Sequence, residues 1–185
     1  MRSPKDSWIM FRANSMRTGV SSSNVAKKPS SLWMVELGEI VASPVFSKNV
    51  LYVPSMMGKI SALNSKDKNL LWQLDIGSPV ISSPLIHKDK LIIATFDSWV
   101  KNTRYLGKNF VLVVDLLKGR TMWKYEIDGD AFSSPCVYGN TCVIGSLDKN
   151  LYAININNGE LQWKYRTGCA VWSSPAVNDD TLYWI

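Results

Sequence analysis

The chain has 185 residues, 46% of them hydrophobic, with 21 basic and 15 acidic residues and a net charge of +6, which suits one globular domain with a sizeable core. No apolar run approaches the ~18 residues of a membrane-crossing helix, and residues 1–10 mix Arg2, Lys5 and Asp6 with Trp8 and Ile9, without the apolar stretch of a secretory leader. Residues 1–31 hold six basic residues and one acid, the remainder 15 and 14. The body therefore lacks the basic face that nucleic acid would need, and the surplus charge reads as a solvated N-terminal arm.

After this segment (1–31), Leu32–Leu37 reads as a lone strand. A repeat comes next. Ser-Pro pairs stand at Ser43-Pro44, Ser83-Pro84, Ser134-Pro135 and Ser174-Pro175, and Trp33, Trp72, Trp123 and Trp163 precede them by 10, 11, 11 and 11 residues. After each proline three residues lead to a polar pair: Lys48-Asn49, Lys88-Asp89, Gly139-Asn140 and Asp179-Asp180. Runs of β-forming residues come after these pairs, the pattern of strand, tight turn and strand. No helical periodicity is sustained.

The first complete unit (41–76) is expected to hold strands at about Val41–Ser47, Val50–Met56, Lys59–Asn64 and Asn69–Ile76. In the second (81–127) they fall at about Ile81–His87, Lys90–Asp97, Asn109–Leu116 and Thr121–Ile127. In the third (132–167) they fall at Phe132–Tyr138, Thr141–Leu147, Asn150–Ile156 and Leu161–Thr167. A fourth unit occupies 172–185. Four strands in ~40 residues is the period of a propeller blade. The fold class is therefore all-β, an incomplete β-propeller of four-stranded antiparallel blades. The recurrent tryptophans Trp72, Trp123 and Trp163 are expected in equivalent, largely buried places between blades, since one small sheet cannot cover its own two faces.

Candidate chemistry is sparse. His87, the sole histidine, falls beside a turn and reads as a surface residue. Cys136 and Cys142 flank a two-residue turn in a register that sends their sulfurs to opposite faces, so all three cysteines, with Cys169, are expected as free, partly buried thiols. Glu39, Asp97, Asp128 and Asp130 fall on one rim, where paired carboxylates could bind a cation and solvated loop acids are the commoner outcome. The second unit carries about 11 extra residues in Asp97–Asn109. There Trp99, Lys101, Arg104 and Tyr105 make a candidate ligand-face loop, with an idle packed insertion as the alternative.

Between third and fourth strands the chain reads Ala62-Leu-Asn64-Ser-Lys-Asp-Lys68-Asn-Leu-Leu-Trp72, Val113-Val-Asp115-Leu-Leu-Lys-Gly119-Arg-Thr-Met-Trp123 and Ala153-Ile-Asn155-Ile-Asn-Asn-Gly159-Glu-Leu-Gln-Trp163. These segments resemble the tryptophan-docking motif of pyrroloquinoline-quinone-type (quinoprotein dehydrogenase-like) β-propellers. Lys68 departs from the glycine of that motif. The opening Trp8-x-x-Phe11-Arg12-x-Asn14-x-x-Arg17-Thr18-Gly19 is similar to the N-terminal segment of many such proteins. The family's enzymes hold the quinone on the propeller axis with Ca²⁺, a vicinal Cys-Cys pair and a stacking Trp. No Cys-Cys pair occurs here, and no calcium-ligand set can be placed by motif.

The family's non-enzymatic members include lipoprotein scaffolds of outer-membrane barrel assembly. The resemblance therefore implies a scaffold binding a protein or small-molecule ligand on the propeller rim, without cofactor and in an extracytoplasmic compartment. A fragment of a quinone-dependent alcohol or sugar dehydrogenase, with pyrroloquinoline quinone and calcium, is the alternative. Typical rings close with 4–8 blades. The chain is accordingly expected to be a piece of a longer protein, with the second strand of its fourth unit exposed as an aggregation-prone edge.

Overall fold

The computed structural model describes residues 7–19, 28, 30–97 and 108–185. Three four-stranded antiparallel sheets succeed one another along the chain. The first holds β1 (Val45–Ser47), β2 (Val50–Pro54), β3 (Lys59–Asn64) and β4 (Leu70–Asp75). The second holds β5 (Leu85–His87), β6 (Lys90–Ala94), β7 (Asn109–Asp115) and β8 (Thr121–Ile127). The third holds β9 (Cys136–Tyr138), β10 (Thr141–Ser146), β11 (Asn150–Asn155) and β12 (Leu161–Arg166). A two-stranded sheet, β13 (Ala176–Asn178) and β14 (Thr181–Tyr183), completes the arc. Within each sheet strands pair in chain order, and first strands of neighbouring sheets lie together, β1 with β5 and β9 with β13. These are propeller blades in an incomplete ring, with the first strands innermost.

The first strands are shorter than the sequence suggested: each starts after the proline. Proline has no N–H for a ladder, and the Ser43, Ser83 and Ser134 N–H groups each bond to the next blade instead. Leu32–Leu37, expected as a strand, pairs with no strand among the described residues, and Leu32 and Met34 stand in solvent. The Cys136 and Cys142 register is as read, with Cys142 opposite Val137 and Cys136 opposite Val143. Both thiols, however, are wholly buried and Cys169 is exposed, because both faces of a middle blade are covered.

Alternation along the strands places the core. Leu91 and Ile93 of β6 pack with Val45, Tyr52 and Ile60 of the first blade. Ile92 and Ala94 point the other way, to Ile144, Tyr152 and Ile154 of the third. The near-continuous apolar runs of middle strands result from this two-sided burial.

One device is identical in all three full blades. The register between third and fourth strands slips by one residue after Ala62–Trp72, Val113–Trp123 and Ala153–Trp163. A bulge of this kind bends the strand and re-aims side chains. Here it sits immediately before each tryptophan.

Candidate functional site

The tryptophans build the blade junctions. Trp72 Nε1 donates to the Leu116 carbonyl at 3.2 Å and Trp123 Nε1 to the Ile156 carbonyl at 3.1 Å. Those carbonyls open the turns between third and fourth strands of the succeeding blades. Each turn is tied by its motif Asp or Asn: Asp115 Oδ1 accepts from Leu117 and Lys118 N–H, and Asn155 Oδ1 from Asn157 N–H. Either residue type serves, since both supply the side-chain oxygen of an Asx turn. Gly119 (φ 61°) and Gly159 (φ 76°) lie against the indoles: a Cβ there would fall 2.4 Å from Trp72 and 2.8 Å from Trp123.

One expectation needs correction. Trp72 and Trp123 are largely buried as expected, though not completely: each packs against the core on one side and caps its neighbour's turn. Trp163 is not equivalent: it is 42% exposed, since the two-stranded fourth sheet has no such turn to offer it.

The Ser-Pro pairs build a second ladder, closer to the axis. Ser43 N–H donates to Ser83 Oγ at 3.2 Å, Ser83 N–H to Ser134 Oγ at 3.0 Å and Ser134 N–H to Ser174 Oγ at 2.9 Å. The preceding serines act within their own blades: Ser82 Oγ donates to Ala94 O, while Ser133 Oγ donates to Gly145 O and accepts from Gly145 N–H. Ser82-Ser83 and Ser133-Ser134 thus each carry one tie within their blade and one to the next.

Two places before each Ser-Pro serine each blade has one apolar residue: Val41, Ile81, Phe132 and Trp172. By topology these residues stand where each blade-to-blade connection reaches the inner first strand, at the end of the axis called here the mouth. Phe96 stacks edge-on against Phe132 at 4.8 Å between centroids, and Phe132 meets Trp172 at 4.8 Å. Phe96 is buried, whereas Trp172 is 58% exposed, so a row of rings runs from the core of the second blade out to solvent. The sequence reading does not find this row. Its signal is the apolar residue two places before every Ser-Pro serine.

Acids adjoin the mouth. The Asp130 carboxylate accepts the Asp97 N–H at 2.8 Å. Burial, and then the charge of Asp130, raise the Asp97 carboxyl above the usual carboxylate range. Asp128 Oδ2 pairs with Lys164 Nζ at 2.7 Å. The buried Tyr152 hydroxyl donates to Asp148, and Lys164 lies over the Tyr152 ring. The hydrogen bond from Lys164 holds Asp128 below its ordinary range. Glu39 is on the same rim, its carbonyl accepting from Met56 N–H. The single-rim reading of the four acids therefore agrees with the structure. Three of the four divide into an Asp97–Asp130 pair and an Asp128 ion pair, and the described residues contain no group of three or more His, Cys, Asp or Glu able to hold a metal.

The candidate loop residues Trp99, Lys101, Arg104 and Tyr105 lie outside the described residues. The flanks of that loop are anchored: Asp97 through its N–H to Asp130, and Lys108 by an ion pair to Glu126 at 2.8 Å. His87 lies at the other end of the sheets from the acids. It is half-buried rather than a free surface residue, its Nε2 is covered without a hydrogen-bond partner, and burial lowers its pKa. It has no route to the mouth.

Residues 8–17 close the inner edges. Trp8 and Phe46 exchange both backbone hydrogen bonds, Ile86 N–H donates to Ile9 O, and Val177 N–H donates to Ser15 O. One segment therefore touches the first strands of the first, second and fourth blades. Arg17 completes the set. It is 7% exposed and donates to the carbonyls of Phe11, Ser134, Pro135 and Pro175. Burial lowers its guanidinium to about 10, still cationic at neutral pH. The basic arm is thus not wholly solvated, since Arg17 is a buried fastener of the third and fourth blades.

A family model described as outer membrane protein assembly factor BamB matches residues 12–167 and again 102–184. The chain belongs to this BamB-like, PQQ-type propeller repeat family. It is 26% identical over 123 residues to the BamB of Burkholderia pseudomallei, covering 66% of this chain and 29% of that protein. The chain thus spans under a third of that relative's length. Its fold is that of BamB from Moraxella catarrhalis (TM-score 0.69, 22% identity, 84% of this chain and 50% of that one). It is also that of a europium-containing methanol dehydrogenase (TM-score 0.68, 17% identity, 89% and 32%). Among the described residues no helix is long and apolar enough to cross a membrane.

Proposed function

We propose that this chain is a protein-binding scaffold of the BamB-like kind, acting outside the cytoplasm, with the aromatic mouth as its contact surface. The carrying observation is the graded row Phe96–Phe132–Trp172, which presents a large, exposed indole backed by the half-buried Phe132 and the buried Phe96. Rigid aromatic anchors of this kind dominate protein interfaces because they bury much area for little lost side-chain entropy. The inner edges are meanwhile engaged by the chain's own residues 8–17, as befits a scaffold whose axis is structural at that end.

The second reading, a quinone-dependent dehydrogenase, is favoured by one feature: the Trp172 indole is a platform on which a planar quinone could stack. The remaining residues fit poorly. Cys136, Cys142 and Cys169 are not adjacent in sequence, the first two are buried, and on this rim the described acids form one carboxylate pair, Asp97–Asp130, and one ion pair, Asp128–Lys164, rather than a calcium cage.

A photo-crosslinking residue at position 172 distinguishes the two. Crosslinks in cells to polypeptides of outer-membrane protein assembly, lost when Phe132 is changed to Ala, are the expected result. Stoichiometric binding of pyrroloquinoline quinone and Ca²⁺ with alcohol-dependent dye reduction would overturn the scaffold reading.

A further inference from the structure

Basic and acidic residues nearly cancel after residue 31, 15 against 14, yet they are not spread evenly in space. The turns between first and second strands and between third and fourth strands lie at one end of the blades, opposite the mouth. Backbone bonds tie the two turns of each blade together: Ser65 N–H donates to Asn49 O, Leu116 N–H to Asp89 O and Ile156 N–H to Asn140 O. In the first two blades these turns carry Lys48, Lys66, Lys68, Lys88, Lys118 and Arg120, all exposed. Among the described residues none of the six enters an ion pair. The neighbouring acids are engaged: Asp89 pairs with Lys90, Asp115 Oδ1 holds the Leu117 and Lys118 N–H groups, and Asp67 Oδ1 holds the Asn69 N–H. At the matching places the third blade has Gly139, Asn157, Asn158, Gly159 and Glu160, without a cation. Large apolar side chains stand among the cations: Leu117 is 82% exposed, and Leu70 and Leu71 are 51% exposed beside the Lys66–Lys68 turn.

We propose that the turn end of the first two blades is a docking surface for an anionic lipid bilayer, with Leu117 entering the headgroup layer. Five of the six free cations are lysines, compact charges on flexible stems that suit a fluid array of lipid phosphates. A folded acidic partner with fixed carboxylates is better met by the planar fork of arginine. Apolar residues among cations are the combination that a bilayer rewards, by burial and by attraction together. A nucleic-acid backbone would leave Leu117, Leu70 and Leu71 without a partner. The platform is rigid, since Trp72 Nε1 holds the Leu116 carbonyl next to Leu117. All four turns of these two blades are complete, and they lie at the far end from the aromatic mouth, so the proposal does not rest on the scaffold reading.

The test is co-sedimentation of the full-length protein with vesicles of phosphatidylcholine alone or with about one-third phosphatidylglycerol. Binding is expected on the anionic vesicles and should fall as salt rises from about 50 to about 300 mM. Lys66→Gln, Lys118→Gln and Arg120→Gln together should weaken it at least about thirtyfold, at about fivefold per cation near the surface. Lys59→Gln, Lys149→Gln and Arg166→Gln together remove the same charge from the other end of the blades and should leave binding within about threefold. Leu117→Ser should weaken vesicle binding about threefold to tenfold. Equal retention on the neutral vesicles, equal loss in the two triple variants, undiminished binding by Leu117→Ser, or tighter binding to double-stranded DNA or polyglutamate than to the anionic vesicles would each overturn the proposal.

Discussion

The two inner junctions and the two ends of the arc contain the same parts in different states. At the inner junctions a bulge-aimed tryptophan meets a glycine turn and a carbonyl. At the C-terminal end Trp163 has the bulge and the aim without the turn, and is exposed. At the N-terminal end the turn is present without a docked indole: Lys68 takes the place of the glycine and still adopts φ 68°, while Trp33 lines an open recess of about 670 Å³ beside Leu51, Val53 and Leu63. The left-handed backbone is thus demanded by the turn alone, and glycine is demanded only where an indole presses on it.

That distinction can be broken experimentally. The largest effect is expected from Gly119→Val, which combines a blocked Cβ with a left-handed φ and should cost about 3–5 kcal/mol, read from urea midpoints. Gly77→Ala, with φ 72° and nothing within 4 Å, should cost only about 1 kcal/mol, and Lys68→Gly should fall within about 1 kcal/mol of neutral. Equal losses at Gly119 and Gly77 would assign the glycine to backbone strain alone.

Next in size, Trp123→Ala should destabilise by about 2–3 kcal/mol, toward the low end of the usual range because the indole is not completely buried. Trp163→Ala should cost under about 1 kcal/mol. Matching values would mean that the open end is capped in solution.

Ser134→Ala removes the acceptor of the Ser83 N–H and should cost about 1–2 kcal/mol, whereas Ser173→Ala, at a residue on the open fourth sheet, should cost less. The smallest effect concerns the thiols. Burial lifts Cys136 to about 11 and Cys142 higher still, so the native protein at pH 8 should react with a thiol reagent at Cys169 alone, and the denatured protein at all three. Rapid native reaction at Cys136 would contradict the covered third blade.

The blades are legible in the sequence because their signals are local: apolar runs, polar turn pairs and a tryptophan at fixed spacing. The turn at Gly139-Asn140 is enough to set the Cys136–Val143 register. Strand starts are harder to read because a serine N–H can serve either its own ladder or the next blade, and only the packing of blades decides. The same limit hides the Phe96–Phe132–Trp172 row, whose members are 36 and 40 residues apart in sequence. Arg17 is visible as a motif residue, but its four carbonyl partners come from the opening segment and from two blades more than a hundred residues away. Trp163 takes the same expected role as Trp72 and Trp123 because its sequence surroundings are the same. The difference is spatial: a glycine turn faces each of the other two indoles, and none faces Trp163 among the described residues.

Hydrogen exchange of the tryptophan indole N–H groups tests this account most directly. In a polypeptide of residues 1–185, Trp72 and Trp123, bonded to the Leu116 and Ile156 carbonyls, should exchange slowly, while Trp163 should exchange at nearly the rate of a free indole. Equal protection at all three positions would contradict the division between filled junctions and an open end.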